Sequence, residues 1–180
     1  MTRGELQAAV LAGILAAAAY FGRKDIERAM DNSDRLPTDQ AVSIIRGIRE
    51  NYPFVSDLPV SLVMAVIETE SNFRIHAKST ATEPAIGLMQ TKLPTFQWMV
   101  DLYLNRGWGK PGLEDVNPYN PYWNIWAGMH YLKRQINATG SIRDGLHAYY
   151  HGLGGWKSGS RNNGYVALIL ERQSRWVFAA

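Results

Sequence analysis

The chain has 180 residues, of which 46% are hydrophobic and 19% are charged, a balance typical of one well-cored globular domain with an appendage. It contains no cysteine, which excludes disulfides, thiolate metal sites and a cysteine nucleophile. The net charge is +3, and the positive charge is concentrated in residues 121–180, which hold 7 basic and 2 acidic residues. Such a basic segment indicates a polyanionic partner or simply a solvated basic surface, and the sequence favours neither interpretation.

The N-terminal segment is strongly apolar. Between residues 6 and 21 only Gln7 is clearly polar, and basic residues flank the stretch. A run of about 16 residues is shorter than the roughly 20 that span a bilayer, and it resembles the apolar region of a secretory signal. We predict an apolar helix and linker over residues 1–37, with membrane contact or assembly partners through residues 5–23, and one further domain over residues 38–180. A signal, an anchor and an assembly helix all remain open on the sequence.

The first half of the main domain is predicted to be helical. Residues 32–37 are predicted as a linker, and Thr38 as the cap of a helix whose apolar residues recur at helical spacing. A second helix is predicted over residues 60–71, which are rich in Met, Ala, Leu and Glu, with Pro59 in its first turn. The sequence also allows a small β-hairpin within residues 77–90, so the fold class is mainly α.

Helical spacing continues in the second half. The dipeptide Asn120-Pro121 is typical of a helix start. Ser141 is predicted to cap a helix that runs through Tyr150. Residues 152–164 contain five glycines and are predicted to be a loop, followed by a last helix over residues 165–176.

Glu70 is the candidate acid at the end of the second predicted helix. It shares a helix face with Val63 and Val66, whereas Glu68 lies about 200° round the helix and should face elsewhere. Apolar neighbours desolvate a carboxylate and raise its pKa, as general-acid catalysis near neutral pH requires. A solvated glutamate at a helix end would have the same local sequence, so this feature alone does not identify a catalyst.

Five short motifs occur between about residue 55 and residue 170. They are Ala65-Val66-Ile67-Glu68-Thr69-Glu70-Ser71-Asn72-Phe73, Gly87-Leu88-Met89-Gln90, Asn124-Ile125-Trp126-Ala127-Gly128-Met129-His130-Tyr131-Leu132, Ala148-Tyr149 with Gly152, and Tyr165-Val166. In this order they resemble the Glu-Ser, Gly-Leu-Met-Gln, Asn-Ile…Gly…Tyr-Leu, Ala-Tyr-Asn-Ala-Gly and Tyr-Val motifs of lytic transglycosylases of the soluble-lytic-transglycosylase (SLT) type. One such motif would be weak evidence, but five in the family's order are specific.

The resemblance implies a goose-lysozyme-like, mainly α fold that cleaves the β-1,4 bond between N-acetylmuramic acid and N-acetylglucosamine in peptidoglycan glycan strands. It also implies that Glu70 is the catalytic acid and then the base, which closes a 1,6-anhydro ring on the muramoyl C6 hydroxyl without water. Glycosidases normally use two carboxylates, but an intramolecular alcohol, with help from the N-acetyl group, lets one glutamate suffice. No cofactor and no metal are expected.

The other motif positions carry over from the family as substrate-binding residues. They are Ser71, Met89, Gln90, Tyr149, Tyr150 and Tyr165. The chain departs from the family pattern in two places. Residues 79–87 are longer than the corresponding family segment, with Pro84 where glycine is usual, and Tyr150-His151 replaces Asn-Ala, which removes an amide that would bind substrate.

Two other functions remain open. A lysozyme-type muramidase on the same fold would need a second, water-activating carboxylate near the cleft. The chain has other acids, but none of them lies in a motif that makes it a second catalyst: Asp57, Glu83, Asp101, Glu114 and Asp115. A non-catalytic wall-binding or assembly protein could use the fold as a scaffold. The resemblance fits two settings, a phage virion protein and a bacterial envelope or periplasmic enzyme. In either setting the N-terminal helix could anchor the protein to a membrane.

Several side chains suggest other chemistry but lack the required context. His147 and His151 have the spacing of paired zinc ligands, without the intervening glutamate or a third ligand. No arginine-rich tract indicates nucleic-acid readout. Trp98 and Trp156 are candidates for stacking on sugar rings, while Trp126 is predicted to lie in the core.

Overall fold

The computed structural model describes residues 34–104 and 116–177. Within these ranges the chain forms six α-helices, one short 3-10 helix and one two-stranded antiparallel sheet, so the mainly α prediction is confirmed. The elements in chain order are α1 (Thr38–Asn51), the 3-10 helix (Pro53–Val55), α2 (Val60–Glu70), β1 (Ala85–Ile86), β2 (Thr91–Lys92), α3 (Leu93–Leu104), α4 (Pro121–Thr139), α5 (Ile142–Lys157) and α6 (Asn163–Arg175).

The predicted apolar N-terminal helix lies outside the described residues, and so do Glu114 and Asp115. Among the helices that the structure does describe, none has the length and apolar character needed to cross a membrane.

Helix α2 is the central element of the core. Seven of its residues are buried, from Val60 and Leu62 through Ile67. A helix that is apolar on all sides is stable only inside a core, and each of its large side chains contributes about 1.5–3 kcal/mol by leaving water. Pro59 stands at the N-cap, one position before the predicted first turn. Glu70, the last residue of α2, lies at the edge of this core, where its side chain is only partly buried.

The chain segment before α1 belongs to the domain. Leu36 is only 3% exposed, and its backbone N–H donates to the Phe73 carbonyl at 2.9 Å. The Ile75 N–H donates in turn to the Asp34 carbonyl at 2.8 Å, which makes a short antiparallel bridge. The linker interpretation is therefore wrong for Leu36. Thr38 is the first residue of α1 and provides no side-chain cap, because Pro37 occupies the N-cap position.

Helices α4 and α5 pack against each other as an antiparallel pair. The Asn120 side chain caps α4 by accepting from the Tyr122 N–H at 3.0 Å. The Ser141 hydroxyl caps α5 by accepting from the Asp144 N–H at 3.0 Å, as its position predicts. A Cβ on Gly145 would lie 2.8 Å from the Ile136 Cα, so this glycine lets the two backbones approach closely.

Helix α5 does not end at Tyr150. It continues to Lys157 across a kink at Gly152, whose φ of 75° and ψ of 157° interrupt the helix. The predicted loop over residues 152–164 is therefore wrong for its first half. The physical reason is that Gly152 alone turns the chain with its positive φ, after which Gly154 and Gly155 re-enter helical geometry.

The hairpin and α3 complete the described fold. Ala85 pairs with Lys92 and Ile86 pairs with Thr91, so the Gly-Leu-Met-Gln motif forms the connection between the two strands. The predicted hairpin therefore exists, although its second strand lies beyond residue 90. Helix α3, where no element was predicted, buries Phe96, Met99 and Val100 in the core.

His130 lies in an aromatic cluster on α4. Its ring centroid is 4.3 Å from that of Trp126 and 4.6 Å from that of Tyr103, and its Nδ1–H donates to the Trp126 carbonyl at 2.8 Å. Burial lowers the pKa of His130 from 6.5 to about 4, although the hydrogen bond to the Trp126 carbonyl acts in the opposite direction. The imidazole is therefore neutral in the folded protein above about pH 4.

The contribution of His130 to stability should fall as the pH falls from 6.5 towards 4. In this window the unfolded chain binds a proton at His130 that the folded chain does not bind, and the difference amounts to at most about 3 kcal/mol. The raised pKa of Glu70 acts in the opposite direction over the same window, so the contribution of His130 is measured against the variant His130→Phe, which keeps a ring in the cluster. In urea unfolding, the stability of this variant relative to wild type should be higher at pH 4.5 than at pH 7. The same change between these pH values in both proteins would contradict the prediction.

Candidate active site

Glu70 lies at the C-terminal end of α2, half-buried and held by α6. Its Oε1 accepts a hydrogen bond from the Tyr165 hydroxyl. Burial raises the pKa of Glu70 from 4.5 to about 7, and the Tyr165 hydrogen bond opposes this shift in part because it favours the carboxylate. The side chain can therefore donate and accept a proton near neutral pH.

Glu68 has different surroundings from Glu70. Its Oε2 accepts from the Trp176 indole N–H at 2.8 Å, and its Oε1 lies 3.3 Å from Arg175 Nη2 and 3.5 Å from Arg172 Nε. The two carboxylates therefore face different groups, in agreement with the helical phase. Glu68 is an ion-pairing residue between α2 and α6.

Two buried tyrosines lie beside Glu70. Burial, reinforced by the negative charge of Glu70, raises the pKa of Tyr149 and of Tyr165 well above 10, so both remain protonated hydrogen-bond donors. Tyr165 donates to Glu70, whereas Tyr149 donates to the Met89 carbonyl at 2.7 Å. Tyr150 is 53% exposed, and its ring centroid is 4.9 Å from that of Tyr165.

The Gly-Leu-Met-Gln segment is held in place by Asn124 of α4. The Asn124 side chain, 1% exposed, accepts from the Met89 N–H at 2.8 Å and donates to the Ile86 and Pro118 carbonyls at 3.1 and 2.7 Å. A Cβ on Gly128 would lie 2.6 Å from the Met89 Cβ, so that glycine makes room for the segment. Asn124 and Gly128, which belong to the third sequence motif, thus position the Gly-Leu-Met-Gln segment, which is the second.

Three of the predicted substrate-binding residues make contacts within the protein itself. The Met89 side chain is fully buried, and the Ser71 hydroxyl donates to the Ile67 carbonyl at 3.1 Å at the end of α2. The Gln90 amide donates to the carbonyls of Ala77 and Gly87 at 3.1 and 2.9 Å. These bonds shape the backbone near Glu70, and direct contact of the three residues with substrate stays a prediction.

The loop after Glu70 has an unusual backbone. Asn72 and Phe73 have φ angles of 51° and 63°, in the left-handed region that bulky residues seldom adopt. The Phe73 ring, 7% exposed, packs edge-on against Trp176 at 5.8 Å, and its carbonyl accepts from Leu36. Asparagine tolerates this region, but nothing in the sequence indicates a positive φ for Phe73, and sequence reasoning therefore missed the loop.

The other candidate side chains have partners of their own. His147 is buried, and its Nδ1 accepts from the Asn162 N–H at 3.1 Å. Within residues 34–104 and 116–177 no group of three His, Asp or Glu side chains could hold a metal ion. The Arg134 guanidinium lies 4.8 Å from the Trp98 ring centroid, and the stacking of tryptophans on sugars stays a prediction. Trp126 is fully buried, as predicted.

The helical domain around one half-buried glutamate is lysozyme-like. Comparison with protein-family models matches residues 55–167 to the transglycosylase SLT domain, and this range contains all five motifs. The chain belongs to that family, whose members are lytic transglycosylases acting on peptidoglycan. Comparisons with curated proteins and with solved structures gave no significant match.

Proposed function

We propose that this protein is a peptidoglycan lytic transglycosylase that cleaves the N-acetylmuramic acid–β-1,4–N-acetylglucosamine bond with Glu70 as its single general acid and base. The observation that supports the proposal most is the half-buried Glu70 carboxyl, with a pKa of about 7 and a hydrogen bond from Tyr165. Ser71, Met89, Gln90, Tyr149, Tyr150 and Tyr165 are proposed to surround the substrate.

The reaction needs two proton transfers at Glu70. In the first, the protonated carboxyl donates to the glycosidic oxygen while the bond from that oxygen to the muramoyl C1 breaks. In the second, the carboxylate takes the proton of the C6 hydroxyl while O6 bonds to C1, which closes the 1,6-anhydro ring. A pKa near 7 suits both steps, because neither protonation state is strongly favoured at neutral pH. The Tyr165 hydroxyl stabilises the carboxylate between them.

The product separates this proposal from hydrolysis. We expect digestion of purified peptidoglycan in ¹⁸O-labelled water to release muropeptides with 1,6-anhydro ends and no label, as measured by mass spectrometry. Labelled reducing ends would overturn the proposal in favour of a muramidase. Binding of peptidoglycan without release would indicate a wall-binding protein.

We further propose that the enzyme opens the wall locally, either as a virion protein during phage genome entry or in an envelope-spanning machine. The apolar residues 5–23 would provide membrane contact or an assembly interface. Fractionation of the native protein between virions, membrane and periplasm tests this setting.

Tyr150 should contribute to substrate binding through its ring. The ring is 53% exposed beside Tyr165, where the family motif has asparagine, and an exposed aromatic face can stack on a sugar. Tyr150→Ala is expected to raise KM roughly tenfold with kcat almost unchanged, since uniform binding is lost, and Tyr150→Phe should keep the wild-type KM. Steady-state kinetics on soluble glycan strands measures both. A lower kcat at unchanged KM would contradict this role.

A further inference from the structure

The last three residues of α2 are each held by a side chain of α6. Tyr165 donates to Glu70, and Arg172 Nη1 donates to Thr69 Oγ1 at 3.1 Å. The same guanidinium lies 3.5 Å from Glu68 through its Nε. One helix therefore contacts three consecutive side chains at the point where the proposed catalyst is attached.

Glu68 is the centre of these contacts. Its side chain is 18% exposed and interacts with Arg172, Arg175 and the indole N–H of Trp176. The Trp176 ring also packs against Phe73 in the loop that follows Glu70. Removing a carboxylate from water is costly, and such groups are often retained for the geometry that they define rather than for stability.

The spacing on α6 links these contacts to the Tyr165 hydroxyl. Arg172 lies seven residues after Tyr165, on the same face of the helix, and Trp176, the C-cap residue of α6, follows this face eleven residues after Tyr165. Because a helix rises 1.5 Å per residue, a small axial shift of α6 would move the hydroxyl off Glu70 and separate both contacts to Glu68. The contacts of Arg172 and Trp176 with Glu68, at the C-terminal end of α6, would thus determine whether the Tyr165 hydroxyl, at the N-terminal end, reaches Glu70.

We propose that Glu68, Arg172 and Trp176 are positioning residues, which fix the register of α6 against α2 and so hold the Tyr165 hydroxyl on Glu70. The inference rests on the proposed function of Glu70. The titratable groups that face Glu70 from the neighbouring helices are Tyr149 of α5 and Tyr165 of α6. Neither ionises near neutral pH, so a shift in that range reports the surroundings of Glu70 itself.

The variant Arg172→Met tests the proposal, because it keeps the aliphatic stem but removes the guanidinium. We expect kcat to fall about tenfold with KM unchanged, since a displaced hydroxyl misaligns the acid. The alkaline limb of the pH–rate profile should move to higher pH, because the carboxylate loses the Tyr165 hydrogen bond that lowers the pKa of Glu70. The pKa of Glu70, measured by NMR of the ¹³C-labelled carboxyl, should rise in parallel. Arg172→Lys, which keeps the charge, should recover part of the loss.

Lys133→Met is the matched control, because it also removes an ion pair, the 2.6 Å contact from α4 to Asp57. It should change the melting temperature at most. If Arg172→Met does not fold, Glu68→Gln replaces it, since glutamine still accepts from Trp176. An unchanged kcat, pH profile and Glu70 pKa in the tested variant would overturn the proposal.

The NMR measurement separates this inference from the proposed function. A rise in the Glu70 pKa in a protein that releases no anhydro product would sink the function and leave the positioning role supported. An active wild-type enzyme whose variants match it would refute the positioning role alone.

Discussion

Replacing Glu70 with glutamine is expected to slow glycan cleavage about a thousandfold, which is the usual contribution of a general acid and base. Glutamine keeps the length of the side chain and an oxygen that accepts from Tyr165, but it cannot transfer a proton. The rate of muropeptide release from purified peptidoglycan measures the effect. Glu83→Gln is the matched control, because Glu83 is an exposed glutamate near Lys92 at 3.6 Å. Activity close to that of the wild type in both variants would exclude Glu70 as the catalyst.

The same substitution should stabilise the fold at alkaline pH. The Glu70 carboxyl has a pKa of about 7 in the folded protein and 4.5 in the unfolded chain, so the folded state binds more protons between these values. The contribution of Glu70 to stability therefore falls as the pH rises from 4.5 to 7 and stays lower above it, by at most about 3 kcal/mol. Glutamine does not ionise, so Glu70→Gln should melt higher than wild type at pH 8 and similarly at pH 4.5. A lower melting temperature at pH 8 would contradict this.

The second large effect is expected for Gly87→Ala. Gly87 has a φ of +74°, and an added Cβ would overlap the side-chain amide of Asn124, lying 2.6 Å from its Cγ. Asn124 cannot move aside, because its side chain is held by hydrogen bonds to Met89 in the segment and to the Ile86 and Pro118 carbonyls. We expect a loss of about 3 kcal/mol or more in the free energy of unfolding, from backbone strain together with overpacking.

Gly140→Ala separates the two contributions. Gly140 has a similar φ of +81°, but nothing lies within 4 Å of the added Cβ, so only the backbone strain remains. Urea unfolding should therefore give a loss of only about 1 kcal/mol for this variant. Equal losses in the two variants would mean that the Asn124 contact does not constrain the segment.

Helical phase and capping residues were sufficient for much of the fold. The apolar run before Glu70 is a buried helix, and its period separates Glu70 from Glu68 as expected. Asn120 and Ser141 cap the helices that they were predicted to open. These features depend on residues close together in the chain, which is why sequence alone reveals them.

The features that sequence reasoning missed depend on contacts between distant residues. Arg172 binds Thr69 across 103 positions, and Trp176 binds Glu68 across 108. The positive φ of Phe73 is compatible with the fold only because Leu36 and Trp176 hold that residue from two sides. Gly152 shows another limit, because a glycine-rich stretch does not reveal which of its glycines turns the chain.

The bridge between residues 34–36 and residues 73–75 bears on how the enzyme can be handled in the laboratory. A recombinant catalytic domain that starts at Thr38 would lack the strand that pairs with the loop three residues beyond Glu70. It would also leave a vacancy where Leu36 enters the core. A shortened protein should therefore begin at or before Asp34, and an affinity tag or fusion partner belongs upstream of that residue.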